Sequence, residues 1–289
     1  MIRIDEITRG RFGNRVLQYN SLCQLSNMLC VDASCVNWEG HDVFCDLFTY
    51  KSEQMPVEQL GWLDLCDLDE KNLSSRIENT HLSLDYYALH NCFFQLTHVA
   101  PNKFLKIRKD RKINLDSSFI HVGIHIRGGD VLDADGGREI HDYRYYIDSI
   151  NFVDSTINEK KVYHVCSDDT TFETFNKVVE FLKLKGHTYF LGPAVGNQAN
   201  HIKDFLTLCE CDILISSSST YCIAAAIVDK KKKVIHSKAW MDKNIQGTSY
   251  WKWGNYTPDY PEAYWKAYDN FWLQLCNGDN DFYNVWKII

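Results

Sequence analysis

From residue 118 onward the chain alternates between short apolar runs and longer segments whose apolar residues recur every three or four positions. "FIHVGIHI", "KVYHVCS", "HTYFLG", "DILISS" and "KVIHS" read as strands. "YRYYIDSINFV", "TTFETFNKVVEFLKLKG", "NHIKDFLTLCE" and "TYCIAAAIVD" read as the helices between them, the second stopped by Gly186. Parallel strands need a crossover connection, so this alternation predicts an α/β lobe over residues 116–240, a parallel sheet with helices on both faces.

The first 115 residues carry a weaker pattern. "MIRIDEI" reads as a strand and "NRVLQYNSLCQLSNML" as a helix, while residues 50–115 read as mainly helical with polar connections. The basic stretch "KIRKDRK" at 106–112 is the expected linker between an amino-terminal lobe, 1–115, and the α/β lobe. The segment 241–289 is rich in aromatic residues, among them Trp251, Trp253 and Trp265, and is expected to pack back on the amino-terminal lobe. A length of 289 residues suits two lobes of moderate size.

With 45% hydrophobic and 24% charged residues the chain has material for a real core. A net charge of -7 argues against a nucleic-acid partner, which needs a basic face to displace counterions. No apolar run has the length of a signal peptide or a membrane span, so a cytoplasmic protein is expected. The eleven cysteines form neither a disulfide framework nor a zinc-knuckle spacing, and several, Cys92, Cys166, Cys209 and Cys222, sit in apolar runs where a thiol packs as a small hydrophobe. The lysine run at 230–233 reads as a solvated turn.

Ligands of open parallel sheets settle at the carboxyl ends of the strands. There the sequence places His125, Arg127 and Asp130 with Gly128 and Gly129, then Ser167, Asp168 and Asp169, then Ser216, Ser217, Ser218, Ser219 and Thr220. A guanidinium offers a fixed fork of donors to a diphosphate, and hydroxyls with free amides at a helix start would hold further phosphate oxygens. Taken singly, Asp169 and Ser219 are helix caps before they are ligands, and His125 could be a core histidine. Arg127 needs solvent, an anion or a carboxylate such as Asp130. "GRFGNRVLQY" at 10–19 lacks the third glycine of the dinucleotide fingerprint and reads as a glycine turn with Asn14 as helix cap. The nucleophile elbow and the P-loop pattern are absent.

Four blocks in order resemble the fucosyltransferase superfamily of α1,6-, α1,2- and protein O-fucosyltransferases. "VGIHIRGGD" resembles its H-x-R motif, "GRFGNR" its glycine-asparagine turn, "CSDD" its aspartate pair, and "HIKDFLTLCECDILISSSSTYCIAAAI" its segment of aspartate, helix and serines. The resemblance implies a GT-B fold with two Rossmann-like lobes. It implies an inverting, metal-independent glycosyltransferase needing no cofactor, most readily one that moves L-fucose from GDP-fucose to a glycan or other hydroxyl acceptor. On this sequence Arg127 would bind the diphosphate. His125, Asp168, Asp204, Ser218, Ser219 and Thr220 would hold the donor, and Gly13 and Asn14 would line the cleft. Asp130 is the favoured general base, with Asp133, Asp135 and Glu139 as alternatives on the same loop.

Two departures bear on the donor. Many relatives carry a second arginine where this chain has Gly128, and an α1,6-type lysine is here Val131. The alternatives are a transferase using another donor, such as UDP-xylose or a rhamnosyl nucleotide, and a sugar-nucleotide-binding protein without turnover.

Overall fold

The computed structural model describes residues 1–5, 7, 10–49, 57–60, 75–76, 81–84, 104–128, 141–192, 200–217, 219–228, 233–236 and 287–288. Asp130, Ser218 and nearly all of 241–289 lie outside the described residues. The chain divides into a unit containing Met1–Asp110 and a unit that opens at Arg111 and takes in Lys287 and Ile288.

The first unit holds a parallel sheet of β1 (Ile2–Ile4), β2 (Ala33–Cys35), β3 (Val57–Leu60) and β4 (His81–Leu84), in the order β2-β1-β4-β3. The crossover from β1 to β2 is α1 (Phe12–Leu29), which ends at Cys30 in the left-handed conformation, φ 52°. From Val16 to Leu25 every residue of α1 is buried, including the polar Gln18, Asn20, Ser21 and Gln24. The helix therefore has no solvated face over that stretch and no clear apolar periodicity. Phe12, Tyr19, Trp38 and Phe44 form an aromatic core beside it, with Phe12–Trp38 and Tyr19–Trp38 centroids 6.0 and 5.8 Å apart.

The helical expectation for residues 50–115 is corrected by β3 and β4. Each is four residues long, "VEQL" and "HLSL", too short for its alternation to outweigh helical periodicity in a window. The basic stretch at 106–112 is not all exposed linker. Ile107 bridges Phe44 in antiparallel fashion and is buried, and Lys109–Arg111 form a 3-10 turn at the boundary between units.

The second unit follows the expected alternation closely. β5 (Ile120–Ile126), α2 (Tyr143–Thr156), β6 (Lys161–Ser167), α3 (Glu173–Leu184), β7 (Thr188–Leu191), α4 (His201–Glu210), β8 (Ile213–Ile215), α5 (Thr220–Ile227) and β9 (Lys233–His236) alternate strand and helix, and β10 (Lys287–Ile288) adds a last strand. All pairings are parallel and the order is β10-β9-β8-β5-β6-β7. Central strands buried on both faces read as continuous apolar runs, as "IHVGIHI" and "ILI" do. Val122, Ile124 and Ile126 of β5, Tyr163 and Val165 of β6 and Ile213 and Ile215 of β8 form the core with Tyr146, Ile150 and Val153 of α2. Gly186 follows α3 at φ +71°, the left-handed stop that the sequence predicts.

α4 lies close against β5 because position 123 is glycine. A Cβ there would fall 2.8 Å from Leu208 Cδ2 and 3.2 Å from Cys211 Sγ. Gly123→Ala is expected to push the helix from the sheet and lower stability by about 1–3 kcal/mol, readable as an earlier midpoint in urea unfolding.

A candidate donor site at the carboxyl ends of the strands

The strand order reverses at β5. β6 and β7 are laid down on one side of it, and the chain then crosses over to place β8 and β9 on the other. Such a reversal opens a crevice at the carboxyl ends of the strands, and the polar residues of this unit gather there.

Arg127 directly follows β5. Its guanidinium Nη1 donates to Asp168 Oδ2 just past β6, and the other carboxylate oxygen accepts the Gly128 backbone N–H at 2.8 Å. One carboxylate thus holds both the side chain of residue 127 and the backbone of residue 128. The Arg127 backbone also hydrogen-bonds Tyr146, whose burial raises its phenol pKa well above the usual value. The Arg127 side chain is 14% exposed and that of Asp168 23%, so the pair is only partly screened by water. The sequence names Asp130 as a possible partner of Arg127; Asp130 lies outside the described residues, and among them Asp168 is a carboxylate on the guanidinium.

His125, the second residue before Arg127, is buried. Its Nδ1 lies 2.6 Å from Ser217 Oγ and its ring lies 5.1 Å from that of Tyr221. The neighbouring strand repeats the pairing, with Ser216 Oγ 2.6 Å from His236 Nδ1 at the end of β9. Tyr145 donates to the carbonyls of Ser216 and Ile235 at 2.8 and 3.1 Å. Ser219 is the N-cap of α5, accepting from the Tyr221 N–H at 3.3 Å, and Thr220 is the first residue of that helix. Asp169 is not the N-cap of α3, a position taken by Phe172; its carboxylate closes a turn on the N–H and hydroxyl of Thr171.

Asp204, in the first turn of α4, is buried at 3% exposure. Its carboxylate comes so close to Gly192, just past β7, that a Cβ there would sit 2.6 Å from Oδ1. Glycine at 192 is therefore what lets this carboxylate occupy its place. Gly128 is also sterically defined, because a Cβ would lie 3.2 Å from Phe172 Cδ1 and 3.3 Å from Asp169 Cβ. A long side chain at 128 would have to displace these neighbours.

Gly13 and Asn14 belong to the first unit. Both lie in the first turn of α1, Gly13 buried and Asn14 half-buried. The helix starts earlier than "GRFGNR" suggests, with Arg11 at the N-cap, so Asn14 is inside it and does not cap it. A cavity of about 160 Å³ beside Tyr19, Cys23 and Lys106 in the same unit is smaller than the roughly 300 Å³ of ordinary ligand sites.

His236, Tyr146 and Gly192 are the residues that the sequence reading passes over. His236 had a usable signal, since it ends the strand "KVIHS". Tyr146 and Gly192 act through packing across elements, for which no local pattern exists.

Burial lowers the pKa of His141 and His164 to about 4 and that of His236 well below its ordinary 6.5. His164 is depressed further by His121, whose Nδ1 is 2.9 Å from His164 Nε2. As pH falls from about 6.5 toward 4 the unfolded chain binds protons that these folded imidazoles refuse, so stability present above 6.5 drains away across that window. Thermal midpoints should decline between pH 6.5 and 4, and His164→Gln should flatten the decline.

The model of glycosyl transferase family 11 matches residues 71–257, more than half of the chain. Comparison with curated protein sequences gives no match. Among solved structures, POFUT1 in complex with GDP-fucose is 12% identical with a TM-score of 0.52, covering 78% of this chain and 92% of that one. An FUT1 mutant from Arabidopsis thaliana in complex with GDP is 11% identical with a TM-score of 0.50, covering 78% and 67%. The fucosyltransferase NodZ from Bradyrhizobium is 12% identical with a TM-score of 0.46, covering 78% and 93%. Parallel α/β units, polar strand ends where the strand order reverses, and the family match lead to one statement: the chain belongs to glycosyl transferase family 11 and is a glycosyltransferase of the GT-B fold.

Proposed function

We propose that the protein transfers L-fucose from GDP-fucose to a hydroxyl of a glycan acceptor, with inversion and without a metal ion. The observation that carries this reading is the guanidinium of Arg127, fixed by Asp168 at the carboxyl end of β5 beside the strand-order reversal. Cleaving a glycosyl phosphate bond builds negative charge on the departing diphosphate, and a preorganised guanidinium acts where that charge develops. Arginine would supply the positive charge that a divalent cation supplies in other transferases.

His125, Asp168, Asp204, Ser218, Ser219 and Thr220 are proposed to hold the donor from the second unit. Asp168 acts through Arg127, and Gly13 and Asn14 would contribute from the first. Asp130 is the proposed base for the acceptor proton. GDP-fucose in the POFUT1 structure and GDP in the Arabidopsis FUT1 structure support a guanine nucleotide. The crowding of Gly128 by Phe172 and Asp169 favours one second reading, a different activated sugar such as UDP-xylose or a rhamnosyl nucleotide, because related enzymes often place an arginine there.

Thermal-shift screening of GDP-fucose, other GDP sugars and UDP sugars separates the two, since a ligand that binds only the folded state raises the midpoint. The fucosyl reading requires the largest rise with GDP-fucose, together with its slow hydrolysis to fucose and GDP. A larger rise with a UDP sugar replaces it with the second reading. Stabilisation without any product from donor or acceptor overturns catalysis.

A further inference from the structure

Among the described residues the sheet of the second unit ends in a short strand that carries no charge, proline or bulge. β7, Thr188–Leu191, is the outermost strand of its side and pairs only with β6 among the described residues. Phe190 and Leu191 are 58% and 47% exposed, and Leu184, at the end of the helix leading into β7, is 78% exposed. Proteins blunt such edges with charges, proline or a bulge. "TYFL" contains no charge and no proline, and its four residues pair with β6 in unbroken register from Val162↔Thr188 to Val165↔Leu191.

The direction of the free backbone groups follows from the ladder. The Gly192 N–H points inward, donating to Val165 O at 2.8 Å. In a strand successive residues turn their N–H and C=O to opposite sides, so Thr188 and Phe190 also face β6 while Tyr189 and Leu191 face outward.

We propose that this edge joins a second copy of the chain, the two β7 strands pairing antiparallel about a two-fold axis through Phe190. That axis satisfies the free groups and sets the most exposed apolar side chain of the strand, Phe190, against its own copy. It sets Tyr189 opposite Leu191 of the other copy and Leu191 opposite its Tyr189, both hydrogen-bonded pairs, with Phe190 facing its own counterpart in the closer non-hydrogen-bonded pair. Aromatic residues at such a position add side-chain attraction, and cross-strand pairs of this kind stabilise sheets. The charges also allow it. Lys183 and Lys185 precede the strand and no charged residue occurs from Thr188 to Gly192, so antiparallel pairing carries the two basic ends away from one another. A single strand pair with its flanking side chains belongs with the small interfaces, under roughly 1,200 Å², so the association is reversible and depends on concentration.

Sedimentation velocity over a micromolar to submillimolar range tests this, with Phe190→Lys and Phe190→Cys as variants. The wild-type chain is expected to shift toward dimer with concentration. Phe190→Lys brings two ammonium groups together at the axis, and it should stay monomeric with its thermal midpoint unchanged at low concentration. Phe190→Cys should form an intermolecular disulfide under mild oxidation much faster than the parent chain, because non-hydrogen-bonded pairs lie within disulfide reach. A wild-type chain that remains monomeric throughout overturns the proposal. So does a Phe190→Lys variant that still dimerises, or a Phe190→Cys variant that crosslinks no faster than the parent.

Discussion

Replacing Arg127 with alanine is expected to cut transfer by on the order of 100-fold to 1000-fold, the usual cost of removing one preorganised group from developing negative charge. The loss should appear in kcat as well as kcat/KM, since the charge on the leaving diphosphate is largest in the transition state. Arg127→Lys should rescue little. An ammonium is a point charge, whereas this guanidinium must keep one edge on Asp168 Oδ2 and present the other to phosphate oxygens. Alanine at 127 also strips Asp168 of a charged partner in a partly buried place, so a modest loss of stability should accompany it. Circular dichroism at the assay temperature shows whether the variant is folded when it is inactive. Near-normal turnover by folded Arg127→Ala would remove the basis for the proposed chemistry.

Asp168 is the second position with a large expected effect. Its two oxygens fix the guanidinium of 127 and the amide of 128, and alanine there would release both, costing about 2 kcal/mol of stability as charged hydrogen bonds are lost. Asp168→Asn is the cleaner variant. Its amide oxygen can still accept from Gly128, while its NH₂ group turns a donor toward the guanidinium and loosens it. Transfer should fall at least about tenfold with little change in the melting temperature. Because Asp168 works through Arg127, the double variant Arg127→Ala/Asp168→Asn should be no slower than Arg127→Ala alone. Multiplying losses would instead mean that Asp168 touches the substrate itself.

The second unit was legible almost element by element, and the reason is physical. Its strands are buried on both faces and its helices, α2 to α4, have one apolar face each, so each element carries its own period. The strand-end rule then picked out His125, Arg127, Asp168 and the serines without knowledge of any contact. The first unit resisted the same reading because α1 is buried all round and carries no periodic stripe, and because β3 and β4 are too short to announce themselves. Partners across elements stayed hidden for a different reason. That Arg127 meets Asp168, 41 residues on, or that Gly192 makes room for Asp204, depends on how separate strands end at one level, which no window of sequence records.

The reversal of strand order at β5 also has an evolutionary side. Ser167, Asp168 and Gly192 end or follow strands on one side of β5, Ser216, Ser217 and His236 stand at strand ends on the other, and β5 alone borders both. Each side is one stretch of sequence, so a substitution on one side leaves the residues of the other as they were. Because Asp168 holds Arg127, the side that carries Ser216, Ser217 and His236 is the one that can change without touching that ion pair.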